Sequence, residues 1–337
     1  MIGIVFEHSA VMWGVNYLDK TDIWIQVASM QFFKFSTIAF FLIGGFLINY
    51  KFTEYTPSEY LQRRFKNTIK PWLFWIFVLI VANLAHRFVI FIKMGNPIFI
   101  EHPLRYFVEE IRYILFESSF WFILNFLICI SLLLIFKKYL YNIWFGFFWA
   151  LVSLFYSINL YYQWVVTHHS AALFGFVFYL WLGIYLNKYF DSVIAFIKKT
   201  NWGWVIGVNI VLFIFSCIEI VHLQNIGLDD AYNTLRVTNI FYSLSMFILL
   251  LKIGNMRFID ETLLPRRTTF GIYLIHYIII LRLLPEIFKD NVWTTSTFSV
   301  TENILYSILR FFIVYFISFF ATRLLLKTNM KWTVGGC

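Results

Sequence analysis

Charge is scarce in this sequence. Asp, Glu, Lys and Arg make up only 13% of its 337 residues, against roughly 25% in an ordinary soluble domain. There is too little to cover a water-facing surface. Cysteine is scarce as well. Cys129, Cys217 and Cys337 show no C-x-x-C or Cys/His spacing, so neither a zinc site nor a disulfide framework is indicated, and no metal is expected. No Gly/Ser/Pro linker and no internal repeat interrupts the chain, which predicts a single domain over 1–337. Met1–Trp13 lacks a basic first region and a small-x-small cleavage site, and it carries Glu7 and His8, so it does not read as a cleaved leader.

Apolar residues fill the space that charge leaves. They are 61% of the chain, with 42 Phe, 20 Tyr and 13 Trp, and the mean hydropathy is +0.74. One water-soluble core of this size cannot hide that much apolar surface, so most of it must face lipid or other buried helices. The expected fold is all-α, a polytopic membrane bundle. Crossing the hydrocarbon takes roughly 20 apolar residues per helix. About ten spans are predicted, at 2–16, 29–49, 70–92, 117–136, 142–162, 170–187, 203–221, 237–254, 268–285 and 303–325.

Charge placement orients them. Alternate loops carry Lys51, Arg63, Arg64, Lys66 and Lys70; Lys137 and Lys138; Lys188, Lys198 and Lys199; Lys252, Arg257, Arg266 and Arg267; the tail adds Arg323, Lys327 and Lys331. The other loops are mixed or acidic, with Asp19, Lys20 and Asp22, then Glu101, Arg105, Glu109, Glu110 and Arg112, then Asp229 and Asp230. The basic loops belong inside, which predicts a cell-membrane protein with both termini cytoplasmic. The same rule accounts for the net charge of +9, so no nucleic-acid partner is expected and lipid is the surrounding medium.

Ionisable residues inside a span cost free energy and usually have a reason to be there. Glu7, His8, Lys34, His86, Arg87, Glu219, His222, His276 and Arg310 qualify. His86, Arg87, Glu219 and His222 lie near span ends and are expected to reach the interface. His8 and His276 are deeper. Both spans run from inside to outside, and at 1.5 Å per residue His8 lies roughly 10 Å and His276 roughly 12 Å from the inner edge. Two imidazoles at one depth suit general-base chemistry near neutral pH, although a hydrogen-bonded core histidine fits the spacing equally. Glu7 points about 100° away from His8, so it is expected to act on another helix.

Gly44 and Gly45 in FFLIGGFLI permit close approach of a ligand or of another backbone. Arg63, Arg64, Lys66 and Lys70 form a basic cluster suited to phosphate, and equally to anchoring the loop inside. Trp121 and Phe122 in SSFWFIL are expected in an interfacial aromatic belt. His168 and His169 open the sixth span on the outer side, where an external acceptor would arrive.

Taken in order, His8–Ser9, FFLIGGFLI, RRFKNTIKPW, SFWFIL and TTFGIYLIH resemble acyltransferase family 3 of bacterial membrane proteins, which includes O-acetyltransferases of surface polysaccharides. The resemblance covers nearly the whole chain. It implies transfer of an acyl group, usually acetyl, from cytoplasmic acyl-CoA to a hydroxyl of a surface or lipid-linked carbohydrate. It also implies that His8 is the essential residue, that Arg63 and Arg64 hold the CoA phosphates with Lys66 and the Gly44–Gly45 segment nearby, and that His276 and Glu7 support the site. Two departures stand out. The family's serine before the glycine is Gly44 here, and its arginine about ten residues before the helix-1 histidine has no counterpart. Either the start lies upstream or this is a shortened member. A transporter or polymerase of polysaccharide or lipid-linked sugars is the rival expectation, and it predicts paired interrupted helices.

Overall fold

The computed structural model describes residues 1–10, 19–94, 103–168, 171–228, 230–288 and 298–336. Those residues form helices and no strand. Glu101, His169, Asp229 and Cys337 lie outside them.

Many helix starts can be traced to local sequence. After α1 (Ile2–Ser9), the Asp19 carboxylate accepts from the Asp22 N–H at 3.0 Å and opens α2 (Lys20–Gln31), which runs through a short turn into α3 (Ser36–Glu54). A Thr56–Glu59 capping box, with Pro57 in the first turn, opens α4 (Pro57–Arg64). One wide π turn, Phe65–Ile69, joins α4 to α5 (Lys70–Met94). Next come α6 (Pro103–Phe116) and α7 (Trp121–Ile135), then α8 (Ile143–Tyr162), capped by Asn142. α8 stops where Gln163 turns left-handed at φ 52° and the Asn159 amide clamps Val165 by two 2.9 Å bonds. α9 (Val177–Lys188), α10 (Phe190–Lys199), α11 (Trp202–Asn225), α12 (Val237–Ile253) and α13 (Arg257–Leu263) follow. α14 (Pro265–Ile278) passes through a second π turn, Ile279–Leu283, into the short α15 (Leu284–Ile287). A second capping box, Ser299–Glu302, opens α16 (Val300–Leu325).

Six helical runs are long and apolar enough to cross a membrane: 20–51, 57–93, 143–162, 202–225, 265–287 and 300–325. There are up to eight if the bent pairs α6–α7 (65°) and α12–α13 (97°) each count as one span. The expected count of about ten included two more, at 2–16 and 170–187. Of the first, residues 2–10 are described and hold α1, of eight residues, while 11–16 lie outside the described residues; α9 in the second has twelve. At 1.5 Å per residue α9 reaches about 18 Å, short of the roughly 30 Å hydrocarbon core. Residues 171–176, which hydropathy joins to the span, run as turns ahead of α9.

α9 is instead a core helix. Val177, Tyr179, Leu180, Trp181 and Ile184 are all buried, and it lies directly on α3. The missing Cβ of Gly45 faces the Leu180 carbonyl, and that of Gly183 faces the Leu42 carbonyl, so the two backbones touch. Gly44 makes room for the Phe126 ring. Both glycines of FFLIGGFLI therefore serve helix packing. Trp121 and Phe122 are 7% and 5% exposed and join Phe41, Phe126 and Phe176 in the core. The expected aromatic belt is here part of the interior, because a composition that suits an interface suits a core equally.

A second apolar cluster joins α1, α14 and α16 through Val5, Ile272, Ile275, Val314 and Phe319. A third contact is polar. Arg236, fully buried, donates to Asn233 O (3.0 Å), Ser216 O (2.9 Å) and Gln31 Oε1 (2.6 Å), and it lies 3.6 Å from Glu219. Glu219, expected to reach the interface, is 7% exposed and also accepts from Tyr161 and Thr238. An ion pair with this many hydrogen bonds can remain inside, and it locks α2, α11 and α12 together. His86, Arg87 and His222 are exposed, as span-end residues should be.

Candidate functional site

The short α1 is held against α14 and α16 from two sides. The Glu7 carboxylate pairs with Lys34, in the turn between α2 and α3, and both side chains are largely buried. Arg310 of α16 donates from Nε to Ser9 O at 2.8 Å. That carbonyl is in the last turn of α1, where helical partners run out and a cation is favoured. Glu7 thus acts across to another helix, and His8 sits between two fixed neighbours.

The structure brings the two deep histidines together. The His8 and His276 rings are 5.4 Å apart, centroid to centroid. His276 is fully buried. Its Nδ1 lies 2.6 Å from Tyr273 O and 3.2 Å from Ile272 O. Carbonyl oxygens only accept, so Nδ1 carries the proton and Nε2 keeps its lone pair. Nε2 finds no hydrogen-bond partner among the described residues. Tyr277 closes one side, 6.4 Å from the His8 ring, and its hydroxyl bonds that of Tyr113 at 2.8 Å. The Tyr273 hydroxyl donates to Ser119 O and fixes the turn before α7.

At one end of the bundle lie two basic cavities. The larger, about 740 Å³, is lined by Arg63, Lys66, Lys70 and Lys331 with Gln62, Asn67 and Trp332. The smaller, about 560 Å³, is lined by Arg266, Arg267, Arg323, Lys327 and Lys331. Lys331, Gly335 and Gly336, in the turn after α16, line both. Arg63 and Arg64 diverge, as successive helical residues must. The Arg63 guanidinium rests 4.2 Å over the Tyr55 ring beside the cavity, whereas Arg64 turns inward, donating to the Tyr60 hydroxyl at 2.6 Å and lying 6.0 Å from the Phe126 ring. Lys66 and Lys70 follow Arg63 into the cavity. Gly44 and Gly45 lie in the α3 packing seams described above. An apolar cavity of about 330 Å³, lined by Gly3, Ser36, Phe40, Thr268 and Tyr315, shares Thr268 with the smaller basic cavity and runs beside α1.

By sequence alone, Arg266, Arg267, Arg323, Lys327 and Lys331 are charges that orient the chain. What makes them a cavity is the packing of α14, α16 and the last turn, residues some 60 positions apart in the chain. His168 is exposed, whereas His276 is fully buried. Among the described residues no three His, Cys, Asp or Glu side chains converge as a metal site. A family model described as an acyltransferase domain matches residues 1–323. No curated protein and no solved structure matches the chain.

Proposed function

The chain belongs to acyltransferase family 3, and from that membership we propose that it transfers an acyl group, acetyl in the first instance, from cytoplasmic acyl-CoA to a hydroxyl of a cell-surface or lipid-linked carbohydrate. In this reading the basic end is the cytoplasmic end, both termini lie there, and the membrane is the cell membrane. One observation carries the reading: the His8 and His276 rings meet at 5.4 Å among the helices of a protein that also holds two cation-lined cavities.

The residues divide the work as follows. Arg63, Lys66 and Lys70 with Lys331 hold the phosphates of the donor, since guanidinium and ammonium groups make charge-assisted bonds to phosphate. The apolar cavity beside α1 takes the uncharged arm. His8 accepts the proton of the attacking hydroxyl. The new ester C–O bond forms as the thioester C–S bond breaks, and the proton passes to the departing sulfur. His276, with Nδ1 held by the Tyr273 carbonyl, presents its Nε2 lone pair to the same space. Glu7 fixes α1 through Lys34.

His8→Gln tests this directly. An amide hydrogen-bonds but takes no proton near neutral pH, so transfer should fall about 100-fold or more with membrane insertion and coenzyme A binding retained. The assay is acetyl transfer in isolated membranes, read beside ester analysis of surface glycans with and without the protein. Full activity in His8→Gln would remove His8 from the chemistry and make His276 the next base to test.

A further inference from the structure

Beyond the histidine pair, toward the end opposite the basic cavities, lies a second polar cluster within the helices. Arg282 donates from a terminal nitrogen to the Asn83 side-chain oxygen, and the Asn83 amide donates to Glu110. Glu110 also accepts from the Tyr106 hydroxyl at 3.1 Å. One turn further along α6, Tyr113 shares its hydroxyl with Tyr277, which adjoins His8. Asn83 is 5% exposed, while Glu110, Tyr106, Tyr113, Tyr277 and Arg282 are half-buried. The cluster is thus closed on the protein side and partly open on the other. Arg282 Nε, though buried, finds no hydrogen-bond partner among the described residues.

Two features separate it from an ordinary buried network. The first is its position along α14 and its continuation. Arg266 lines a basic cavity; at 1.5 Å per residue His276 lies about 15 Å further along, and Arg282 about 9 Å beyond that. Along α5, Asn83 lies about 20 Å past Lys70, which lines the other basic cavity. The second is the π turn Ile279–Leu283, in which the Leu284 N–H reaches back to Ile279 O. Residues five apart in a regular α-helix point about 140° apart. A widened turn narrows that offset and brings Arg282 round toward the side of Tyr277, and such turns recur at functional sites.

We propose that Asn83, Glu110, Arg282 and Tyr113 form the acceptor subsite, which takes a neutral polyhydroxyl unit such as a sugar ring from the end opposite the donor and delivers one hydroxyl past Tyr277 to His8. The proposal rests on the acyltransferase reading for what happens to that hydroxyl. The class of ligand follows from the donor set. A carboxylate beside a guanidinium, an amide and phenols offers acceptors and donors together. Sugar hydroxyls need both. Glu110 and Arg282, both bonded to Asn83, balance one another's charge, so the cluster offers no net attraction to a phosphate or to a cation.

The test uses membranes carrying the full chain, radiolabelled acetyl-CoA, and the cells' own surface glycan stripped of esters by mild base as acceptor. Asn83→Ala and Glu110→Gln should each lower transfer about tenfold or more at low glycan and recover as glycan rises. Affinity of the purified proteins for coenzyme A should stay within about twofold. Tyr113→Phe, which removes a single hydroxyl, serves the same comparison if the other variants do not fold. Wild-type transfer at low glycan, or coenzyme A binding lost in step with transfer, would overturn the subsite and leave a structural network. If the unaltered protein acetylates no glycan, the acyltransferase reading fails by itself. The subsite is then judged by access. Glu110→Cys, on the half-buried side of the cluster and in a chain freed of its native cysteines, should react with a membrane-impermeant thiol reagent on intact cells, and silence there overturns it.

Discussion

Glu7 can position His8 or take part in the reaction, and its pairing with Lys34 allows the two roles to be separated. Both side chains are largely out of solvent, 14% and 7% exposed. Removing one member of a buried pair leaves the other uncompensated, at about 3–5 kcal/mol. Lys34→Met strands the carboxylate, and Glu7→Gln strands the ammonium. Either change should lower the melting temperature of the purified protein in detergent by on the order of 5 °C. Transfer should fall with it, because α1 has only eight residues and the pair is one of its polar tethers, beside the Arg310–Ser9 bond. The double variant Glu7→Gln/Lys34→Met removes both charges and keeps both shapes, and such replacements are often neutral or stabilising. It should recover both stability and transfer. A double variant that melts like the wild type yet transfers nothing would refute the positioning role and place Glu7 in the chemistry. Single variants that melt like the wild type would show that the pair contributes nothing to holding α1.

Arg63→Ala should weaken coenzyme A binding by about tenfold or more, the worth of one charge-assisted phosphate contact; Arg64→Ala, which loses a bond to Tyr60, should change it by less than about threefold, and calorimetric titration of both separates them. Gly45→Val should destabilise by at least about 1–3 kcal/mol, because the new side chain meets the Leu180 carbonyl, a backbone atom with no rotamer to change; thermal unfolding in detergent checks it, and an unchanged melt would mean that α3 and α9 can separate freely.

Length and hydropathy were enough to place a helix at every expected span. They did not show which helices cross. α9 and the long spans share a composition, yet the turns of 171–176 before it leave α9 at twelve residues. Depth counting brought His8 and His276 to one level, and the structure adds that α1 and α14 are neighbours. Neither the Glu7–Lys34 pair nor the Arg236 network could be read off. Their members lie 27 and up to 205 residues apart, and no periodicity encodes which helix packs on which. Trp121 and Phe122 fail for a related reason, since an aromatic residue at a span start is equally consistent with lipid contact and with a core.

The remaining part of the site is organised along one helix, and that explains why its sequence signal looked so sparse. α14 and its π turn carry Arg266 and Arg267 at the basic end, His276 and Tyr277 midway, and Arg282 beyond. Everything between has to satisfy packing first. Gly271 is pressed against Thr322 and Val334, and Ile272, Leu274 and Ile275 are buried. A helix so tightly seated cannot slide to carry an acyl group from one end to the other. The reacting groups must instead come to a fixed point. In the function proposed above, the donor's thioester would enter from the cationic end and the hydroxyl from the opposite end, and the two would meet at the depth of His8 and His276. Family membership favours an enzyme over a transporter.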